Sequence, residues 1–295
     1  MPIHTIDLRF QNTPGIVAAF LIEAGKELAL IETGPGSTLP ALLEGIRSLG
    51  FEPSQVKHVF VTHIHLDHAG AAGWWAQQGA TIYVHPRGAK HLVDPEKLIN
   101  SATRIYGDKM HALWGDILPA PEDRVVALKD GETVKIGKTK IIALETPGHA
   151  KHHYAYLLDG NCFTGDVAGA RLQGCDYISV TAAPPQFDPV AYLDSITRLH
   201  DAGFEKLYLT HYGEVTNVSA HLTRYAQRVT EADDCIAEMM QCGLTVNERR
   251  AAYGEAEHTV AARSNTSNKD WQRYELLNNT AMCADGIAVF HEKHP

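Results

Sequence analysis

Apolar and polar positions alternate along the first two thirds of the chain in a pattern that predicts short strands separated by helical stretches. A helix is predicted over residues 39–49, where apolar residues recur at helical spacing and Gly50 supplies a stop signal. A strand rich in β-branched residues is predicted over residues 56–62, directly before His63. Further strands are predicted over residues 16–23, 28–32, 81–84, 140–145, 161–164 and 206–210. This alternation indicates an α/β (α+β) fold class.

The last quarter of the chain predicts helices instead. Apolar residues at helical spacing run from Leu222 to Met239, and Thr245 to Glu248 match a capping box that opens the next helix. Residues 262–269 form a polar linker, and a last helix is predicted over residues 271–283. We therefore expect a catalytic domain over residues 1–218 and a helical extension over residues 219–295 that packs on it.

An insertion over residues 92–114 is also predicted to be helical. Its Tyr106, Met110 and Trp114 can line a pocket, but ordinary packing is the favoured interpretation for all three. The chain has 295 residues, 44% of them hydrophobic, which is enough for one large domain with a small appendage. No apolar run approaches the roughly 20 residues that cross a bilayer, and the first residues lack a secretory signal. We expect a cytoplasmic protein without a membrane partner.

Charge and cysteine content count against some classes of function. The formal net charge of -9 argues against nucleic-acid binding, which usually requires a stripe of Lys and Arg. A small-molecule substrate is the expectation, and the helical tail offers a surface for a homodimer. The five cysteines are odd in number and show no CxxC spacing, so we expect reduced thiols rather than disulfides or a cysteine metal site.

Histidine is the residue type in excess, with seventeen in the chain. Three of them, His63, His65 and His68, lie within six residues together with Asp67. Core packing does not call for this density, whereas imidazole and carboxylate suit a borderline cation such as Zn²⁺. Alternate side chains of an extended loop point the same way, so His63 and His65 can share one ion while Asp67 and His68 face a second.

Three more ligand-type residues follow predicted strands: His149, Asp166 and His211. The ends of strands in α/β proteins usually converge on the functional rim. The sequence therefore predicts two Zn²⁺ ions, with Mn²⁺ or Fe²⁺ as alternatives. The assignment is His63, His65 and His149 to one ion, Asp67, His68 and His211 to the other, and Asp166 as the bridge.

The segments THIHLDHAG, TPGH, TGD and THYG, in this order, resemble the metallo-β-lactamase superfamily, which contains glyoxalase II and the acyl-homoserine lactonases. The resemblance covers roughly residues 15–215. It implies a four-layer αββα sandwich with the metals on one edge of the paired sheets. The segment HPRGAKHLVDPEKL looks most like a prokaryotic branch that implies no particular substrate.

Differences between this sequence and several branches of the superfamily narrow the choice of branch. Asp166 stands where the cysteine-containing β-lactamases have Cys, and His65 stands where flavodiiron proteins have Glu. Nuclease branches with a large inserted domain need a longer chain. Glyoxalase II resembles this chain in its seven ligands and its helical tail.

The chemistry implied is attack of a metal-bridging hydroxide on a thioester, lactone or ester carbonyl. Asp67 is also a candidate to accept or relay a proton, and Tyr212 is a candidate hydrogen-bond donor to an oxyanion. His152 and His153 are interpreted either as residues that orient the ligands or as surface and capping residues.

Other functions stay open at this point. The persulfide dioxygenases, which resemble the same superfamily, use one iron; here its ligands would be His63, His149 and Asp166. A phosphodiesterase is a variant of the hydrolase that net charge disfavours. The remaining alternative is a non-enzymatic role in which the metals brace the fold.

Overall fold

The structure, a computed structural model, describes residues 1–294. These residues divide into two compact units. The first comprises residues 1–145 and 152–165, and the second comprises residues 146–151 and the chain from Asp166 onward. The division into residues 1–218 and 219–295 that the sequence suggests stays a prediction.

One sheet of the first unit has six strands in chain order. The pairs β1–β2 and β2–β3 are antiparallel, whereas β3 to β6 are parallel neighbours. The strands are β1 (Ile3–Asp7), β2 (Ala18–Ala24), β3 (Glu27–Ile31), β4 (Val56–Phe60), β5 (Thr81–Val84) and β6 (Val125–Ala127). The predicted strands β2 to β5 are confirmed within two residues, while β1 and β6 had no clear sequence pattern.

Four further strands of the same unit pair antiparallel in chain order. They are β7 (Thr133–Ile136), β8 (Thr139–Glu145), β9 (Tyr154–Leu158) and β10 (Asn161–Gly165). Asp159 and Gly160 join the last two strands, and both have positive φ, of 45° and 75°. Two such residues form the tight hairpin turn whose twist matches that of paired strands.

Aromatic side chains fill the space between these two sets of strands. Phe20 of β2 lies 5.3 Å from Phe163 of β10, and Phe60 of β4 lies 5.2 Å from Tyr156 of β9, measured between ring centroids. The Tyr156 hydroxyl donates a hydrogen bond to the Val61 carbonyl oxygen at 3.1 Å. A buried tyrosine hydroxyl needs such a partner, so Tyr156 adds apolar contacts to the core without burying an unpaired hydroxyl.

In the first unit, the α-helices lie between strands β3 and β6 along the chain. They are α1 (Leu39–Ser48), α2 (Leu66–Ala69), α3 (Ala72–Gln77), α4 (Pro86–Val93), α5 (Glu96–Tyr106) and α6 (Met110–Trp114). Trp114 stacks on Phe10 with ring centroids 5.5 Å apart, and Tyr106 meets Trp114 edge-on at 5.1 Å. These contacts fix the inserted helices by aromatic packing.

The second unit contains an antiparallel hairpin, a helix before it and four helices after it. Its elements are α7 (Pro189–Ala202), β11 (Lys206–Leu209), β12 (Gly213–Val215), α8 (Val218–Gln241), α9 (Val246–Arg263), α10 (Asn268–Leu277) and α11 (Thr280–Lys293). The predicted capping box is confirmed, because the Thr245 side chain accepts from the Glu248 backbone N–H and the Glu248 side chain accepts in return.

The predicted last helix over residues 271–283 is wrong in its bounds. Asn278 leaves the helical region with φ of -140°, and Asn279 caps the next helix by accepting a hydrogen bond from the Met282 backbone N–H. The predicted polar linker over 262–269 is shorter in the structure, where α9 ends at Arg263 and α10 begins at Asn268, so that residues 264–267 join the two helices. Short polar side chains break a helical pattern in this way because they bond to nearby backbone groups.

A buried ion pair joins α8 to α9. The Arg228 guanidinium donates to Glu257 Oε2 at 2.6 Å, and the side chains are only 3% and 5% exposed. The Tyr177 hydroxyl donates to the same carboxylate, and the guanidinium carbon lies 5.7 Å from the centre of the Tyr177 ring. Charge pairing and hydrogen bonds therefore offset the cost of burying both groups.

Within residues 1–294, no helix is long and apolar enough to cross a membrane. Each of the five cysteines is a free thiol, and Cys162, Cys175 and Cys283 are buried. The expectation of reduced, mostly buried thiols is confirmed.

Candidate metal centre

The first set of candidate ligands lies directly after β4. His63 is fully buried, and its ring centroid lies 4.5 Å from that of His65 and 4.0 Å from that of His68. The sequence predicts a loop here, but α2 begins at Leu66, so Asp67 and His68 lie in one helical turn. The structure thus brings together the four ligand-type residues of the first motif.

Glu32, which directly follows β3, forms hydrogen bonds that support this cluster. Its carboxylate is fully buried and accepts hydrogen bonds from the Thr62 hydroxyl at 2.6 Å and from the Thr62 backbone N–H at 3.2 Å. It also accepts from His68 Nδ1 at 2.8 Å. Its φ of 66° is uncommon for a residue with a side chain, which indicates that the surrounding structure imposes this position.

The Glu32 contact determines which nitrogen of His68 can bind a metal. A carboxylate that accepts from Nδ1 places the ring proton there, which leaves the Nε2 lone pair available as a ligand. His68 Nε2 lies 3.6 Å from Asp67 Oδ2, so two ligand atoms face the same region. The sequence analysis missed Glu32. The available signal was an acidic residue at the end of an apolar strand, beside the strand that leads into the histidine motif.

The second set of candidate ligands is brought together in the second unit. His149, Asp166 and His211 are all buried. Asp166 Oδ2 lies 3.2 Å from His149 Nε2, and Asp166 Oδ1 lies 3.2 Å from His211 Nε2. The Asp166 carboxylate therefore stands between two imidazoles, the position that the sequence assigns to a bridging ligand.

The hydrogen bond of His149 tests whether this set suits a cation. His149 Nδ1 lies 2.9 Å from the Thr181 carbonyl oxygen, which can only accept, so the proton of the neutral ring is on Nδ1. The lone pair on Nε2 then faces a carboxylate oxygen, and two acceptors at this distance repel each other unless a positive charge lies between them. Imidazole and carboxylate donors are those that Zn²⁺ prefers. The residues therefore fit a metal ion.

The other residues singled out in the sequence lie near one set or the other. Asp67 keeps a side chain that is 22% exposed. His152 and His153 are buried, with ring centroids 6.1 Å and 5.1 Å from that of His63. Tyr212 follows His211 directly, is half-buried, and donates its backbone N–H to the Arg171 carbonyl oxygen at 3.2 Å.

Tyr106 has an additional role in the electrostatics of the first set. Burial and the negative charge of Asp67 raise the pKa of Tyr106 to about 12. The phenol therefore stays neutral at physiological pH and remains a hydrogen-bond donor. Packing against Trp114, the favoured interpretation from sequence, describes only part of its surroundings.

Comparison with known proteins identifies the family of this chain. Residues 12–211, more than half of the chain, match the family model described as Metallo-beta-lactamase superfamily. A metallo-beta-lactamase fold-containing protein of Sulfurisphaera tokodaii is 27% identical over 200 residues, which cover 66% of this chain and 72% of that protein. A hydroxyacylglutathione hydrolase of Hahella chejuensis is 25% identical over 213 residues, covering 70% of this chain and 65% of that enzyme.

Among solved structures, a metallo-beta-lactamase family protein of Thermus thermophilus aligns with a TM-score of 0.69 at 19% identity. The alignment covers 99% of this chain and 93% of that protein, so the likeness extends through the helical C-terminal segment. At this identity the likeness is informative about fold alone. The expected fold class, including its helical C-terminal segment, is confirmed. The chain belongs to the metallo-β-lactamase superfamily and is a metal-dependent hydrolase of that family.

Proposed function

We propose that this protein hydrolyses a small acyl substrate, a thioester, lactone or ester, with the help of two divalent metal ions, zinc in the first instance. The observation that carries the proposal is the Asp166 carboxylate between the Nε2 atoms of His149 and His211, at 3.2 Å from each. Because the Thr181 carbonyl keeps the proton of the neutral His149 ring on Nδ1, the Nε2 lone pair faces the Asp166 carboxylate, and a cation bound between the two would stabilise this arrangement.

The ligand sets of the two units are proposed to serve one pair of ions. Membership of the superfamily and the order of the four motifs along the chain support this arrangement. One ion would be held by His63, His65 and His149, the other would be held by Asp67, His68 and His211, and Asp166 would be a ligand of both.

The protein's own residues prepare this chemistry. When bound, a pair of such ions lowers the pKa of a water molecule toward neutrality and polarises a carbonyl group. Glu32 keeps the proton of His68 on Nδ1 and increases the basicity of Nε2. Asp67, the more accessible carboxylate, is proposed to accept or relay a proton, and the hydroxyl of Tyr212 is proposed to donate a hydrogen bond to the developing oxyanion.

The substrate class is supported by two observations. The name of the Hahella relative describes hydrolysis of an acyl-glutathione, which is a thioester. The net charge of -9 disfavours binding of polyanions by charge alone. A neutral or weakly charged acyl compound fits both better than a nucleic acid does.

The test combines metal analysis, oxygen uptake and a substrate panel on freshly purified protein. We expect about two zinc or manganese ions per chain, no oxygen consumption, and cleavage of a thioester, lactone or ester. The variant His149→Ala should lose metal and activity. The variant His291→Ala should retain both, since His291 binds Asp233 at 2.8 Å and is not a candidate ligand.

Two results would contradict the proposal. One iron per chain with thiol-dependent oxygen uptake would indicate an oxygenase held by His63, His149 and Asp166. Cleavage of phosphodiesters in preference to every acyl compound would move the substrate class to phosphate esters.

A further inference from the structure

Three hydroxyl groups meet behind the Asp166 main chain: those of Thr181, Tyr192 of α7 and Tyr225 of α8. We call them the hydroxyl cluster. The Asp166 carbonyl oxygen accepts from the Tyr192 hydroxyl at 2.6 Å and from Thr181 Oγ1 at 3.0 Å. The Tyr192 oxygen lies 2.7 Å from Thr181 Oγ1 and 2.8 Å from the Tyr225 oxygen. All three residues are buried.

Proton accounting gives this cluster a direction. The carbonyl oxygen of Asp166 can only accept, so Tyr192 donates to it at 2.6 Å, and the Thr181 hydroxyl donates either to the same oxygen at 3.0 Å or to the Tyr192 oxygen at 2.7 Å. Tyr225 then donates to Tyr192, and its own oxygen accepts from the Thr181 backbone N–H at 3.4 Å. Burial raises the pKa of Tyr192 and Tyr225 well above that of a free tyrosine, so both keep the protons that this order requires. Each hydroxyl proton of the cluster therefore has an acceptor within it, and the chain of donors ends at the Asp166 carbonyl oxygen.

Thr181 connects the cluster to a second candidate ligand. Its hydroxyl holds the main chain of Asp166, while its carbonyl oxygen accepts from His149 Nδ1 at 2.9 Å. One residue thus fixes the backbone position of the bridging carboxylate and the ring proton of a histidine. Partners of this kind orient metal ligands and typically change metal affinity or activity 10–100-fold when they are removed.

Helix α8 also contacts the loop after Asp166 through His221, which lies one helical turn before Tyr225. His221 Nε2 donates to the Ala168 carbonyl oxygen at 2.9 Å. A Cβ atom on Gly169 would come within 2.3 Å of the Tyr225 ring, so only glycine permits this approach of the loop to the helix. His221 and Tyr225 are four residues apart and therefore lie on the same face of α8.

We propose that the hydroxyl cluster positions Asp166 and His149 for metal binding, so that helices α7 and α8 belong to the functional centre rather than serving only as packing. This inference rests on the proposed metal site. Thr181, Tyr192 and Tyr225 are positioning residues, since they act on the ligands through hydrogen bonds and not on a substrate.

The test measures metal affinity with a competing chelator and the visible absorption bands of the Co²⁺-loaded protein, which report on the ligand geometry. Variants Tyr192→Phe and Thr181→Val remove a hydroxyl at nearly constant volume. We expect both to bind metal about 10–100-fold more weakly and to shift the Co²⁺ bands. Variant Tyr225→Phe should have the same effect in smaller degree, because it acts through Tyr192. Variant Thr181→Ser keeps the hydroxyl and should restore wild-type affinity and bands.

The matched control is Tyr274→Phe. Tyr274 is also a buried tyrosine of the helical segment, and its hydroxyl bonds the Tyr177 carbonyl oxygen and the Leu172 N–H, each at 2.8 Å, rather than a candidate ligand. Its loss should lower thermal stability but leave metal affinity and the Co²⁺ bands unchanged.

The outcomes separate this inference from the proposed function. If the wild-type protein binds no divalent metal, the proposed function fails and the inference fails with it. If the wild type binds metal and the folded variants Tyr192→Phe, Thr181→Val and Tyr225→Phe match its affinity and bands, the cluster is packing only and the inference alone is overturned. If Tyr192→Phe does not fold, the comparison of Thr181→Val with Thr181→Ser decides.

Discussion

Replacing Glu32 by glutamine separates the shape of this side chain from its charge. The carboxylate accepts with both oxygens: Oε1 binds the Thr62 hydroxyl and His68 Nδ1, and Oε2 binds the Thr62 backbone N–H. A glutamine has one acceptor oxygen and one NH₂ group. If its oxygen takes the Oε1 position, its NH₂ group faces the Thr62 N–H, and the reverse orientation is worse because two donors then face the NH₂ group.

The size of the effect follows from this mismatch. Leaving one buried backbone donor without an acceptor costs about 1–3 kcal/mol of the free energy of unfolding. Losing the carboxylate behind a histidine ligand typically weakens metal binding about 10–100-fold. That loss corresponds to about 1.4–2.8 kcal/mol of binding free energy.

The measurement is chemical denaturation of the metal-free protein, followed by chelator competition on the folded variant. The control is Glu23→Gln: Glu23 lies in β2, is about one-third exposed, and its carboxylate binds the half-buried His4 at 2.7 Å. We expect the control to change neither quantity beyond a few tenths of a kcal/mol. Unchanged metal affinity in Glu32→Gln would refute the argument that the carboxylate prepares His68.

The ion pair of Arg228 and Glu257, the proposed metal site and the buried His221 can each be tested separately. Glu257→Gln should lower the free energy of unfolding by about 3 kcal/mol, because the buried Arg228 guanidinium loses its buried carboxylate partner and keeps the more exposed Glu231. A loss of less than about 1 kcal/mol in a denaturant titration would contradict this. Incubation with a chelator should abolish hydrolysis and lower the melting temperature, and added Zn²⁺ should restore both, because a ligand that binds only the folded state stabilises it. Burial lowers the pKa of His221 to about 4, below the 6.5 of a free histidine, so the unfolded chain binds more protons between those values. The free energy of unfolding should therefore fall as pH drops from 6.5 toward 4, and His221→Gln should make that fall shallower when stability is measured across this range.

The sequence indicated the candidate ligands because their signals are short in range. His63, His65, Asp67 and His68 form one continuous motif, and each of the other three follows a strand whose apolar pattern is recognisable. Strand ends place side chains on a common rim whatever the details of packing. The fold class was predictable for the same reason.

Residues that support the ligands could not be predicted in this way. Glu32 and His68 are 36 residues apart, and Thr181 and His149 are 32 residues apart, so only the folded chain shows that they meet. The break between α10 and α11 depends on Asn278, whose amide donates to the Val180 carbonyl oxygen 98 residues away. Local propensity is a weak guide wherever such a distant contact decides the conformation.

The position of Tyr225 bears on where this enzyme can be cut or grafted. The match to the family ends at residue 211, and a fragment trimmed there would still carry every candidate ligand. It would lack helix α8, whose Tyr225 donates a hydrogen bond to Tyr192 of the hydroxyl cluster and whose His221 binds the loop after Asp166. During synthesis, His211, the last candidate ligand, emerges before helix α8, which helps to orient Asp166. A metal ion captured at that stage would therefore meet ligands that are still free to rotate.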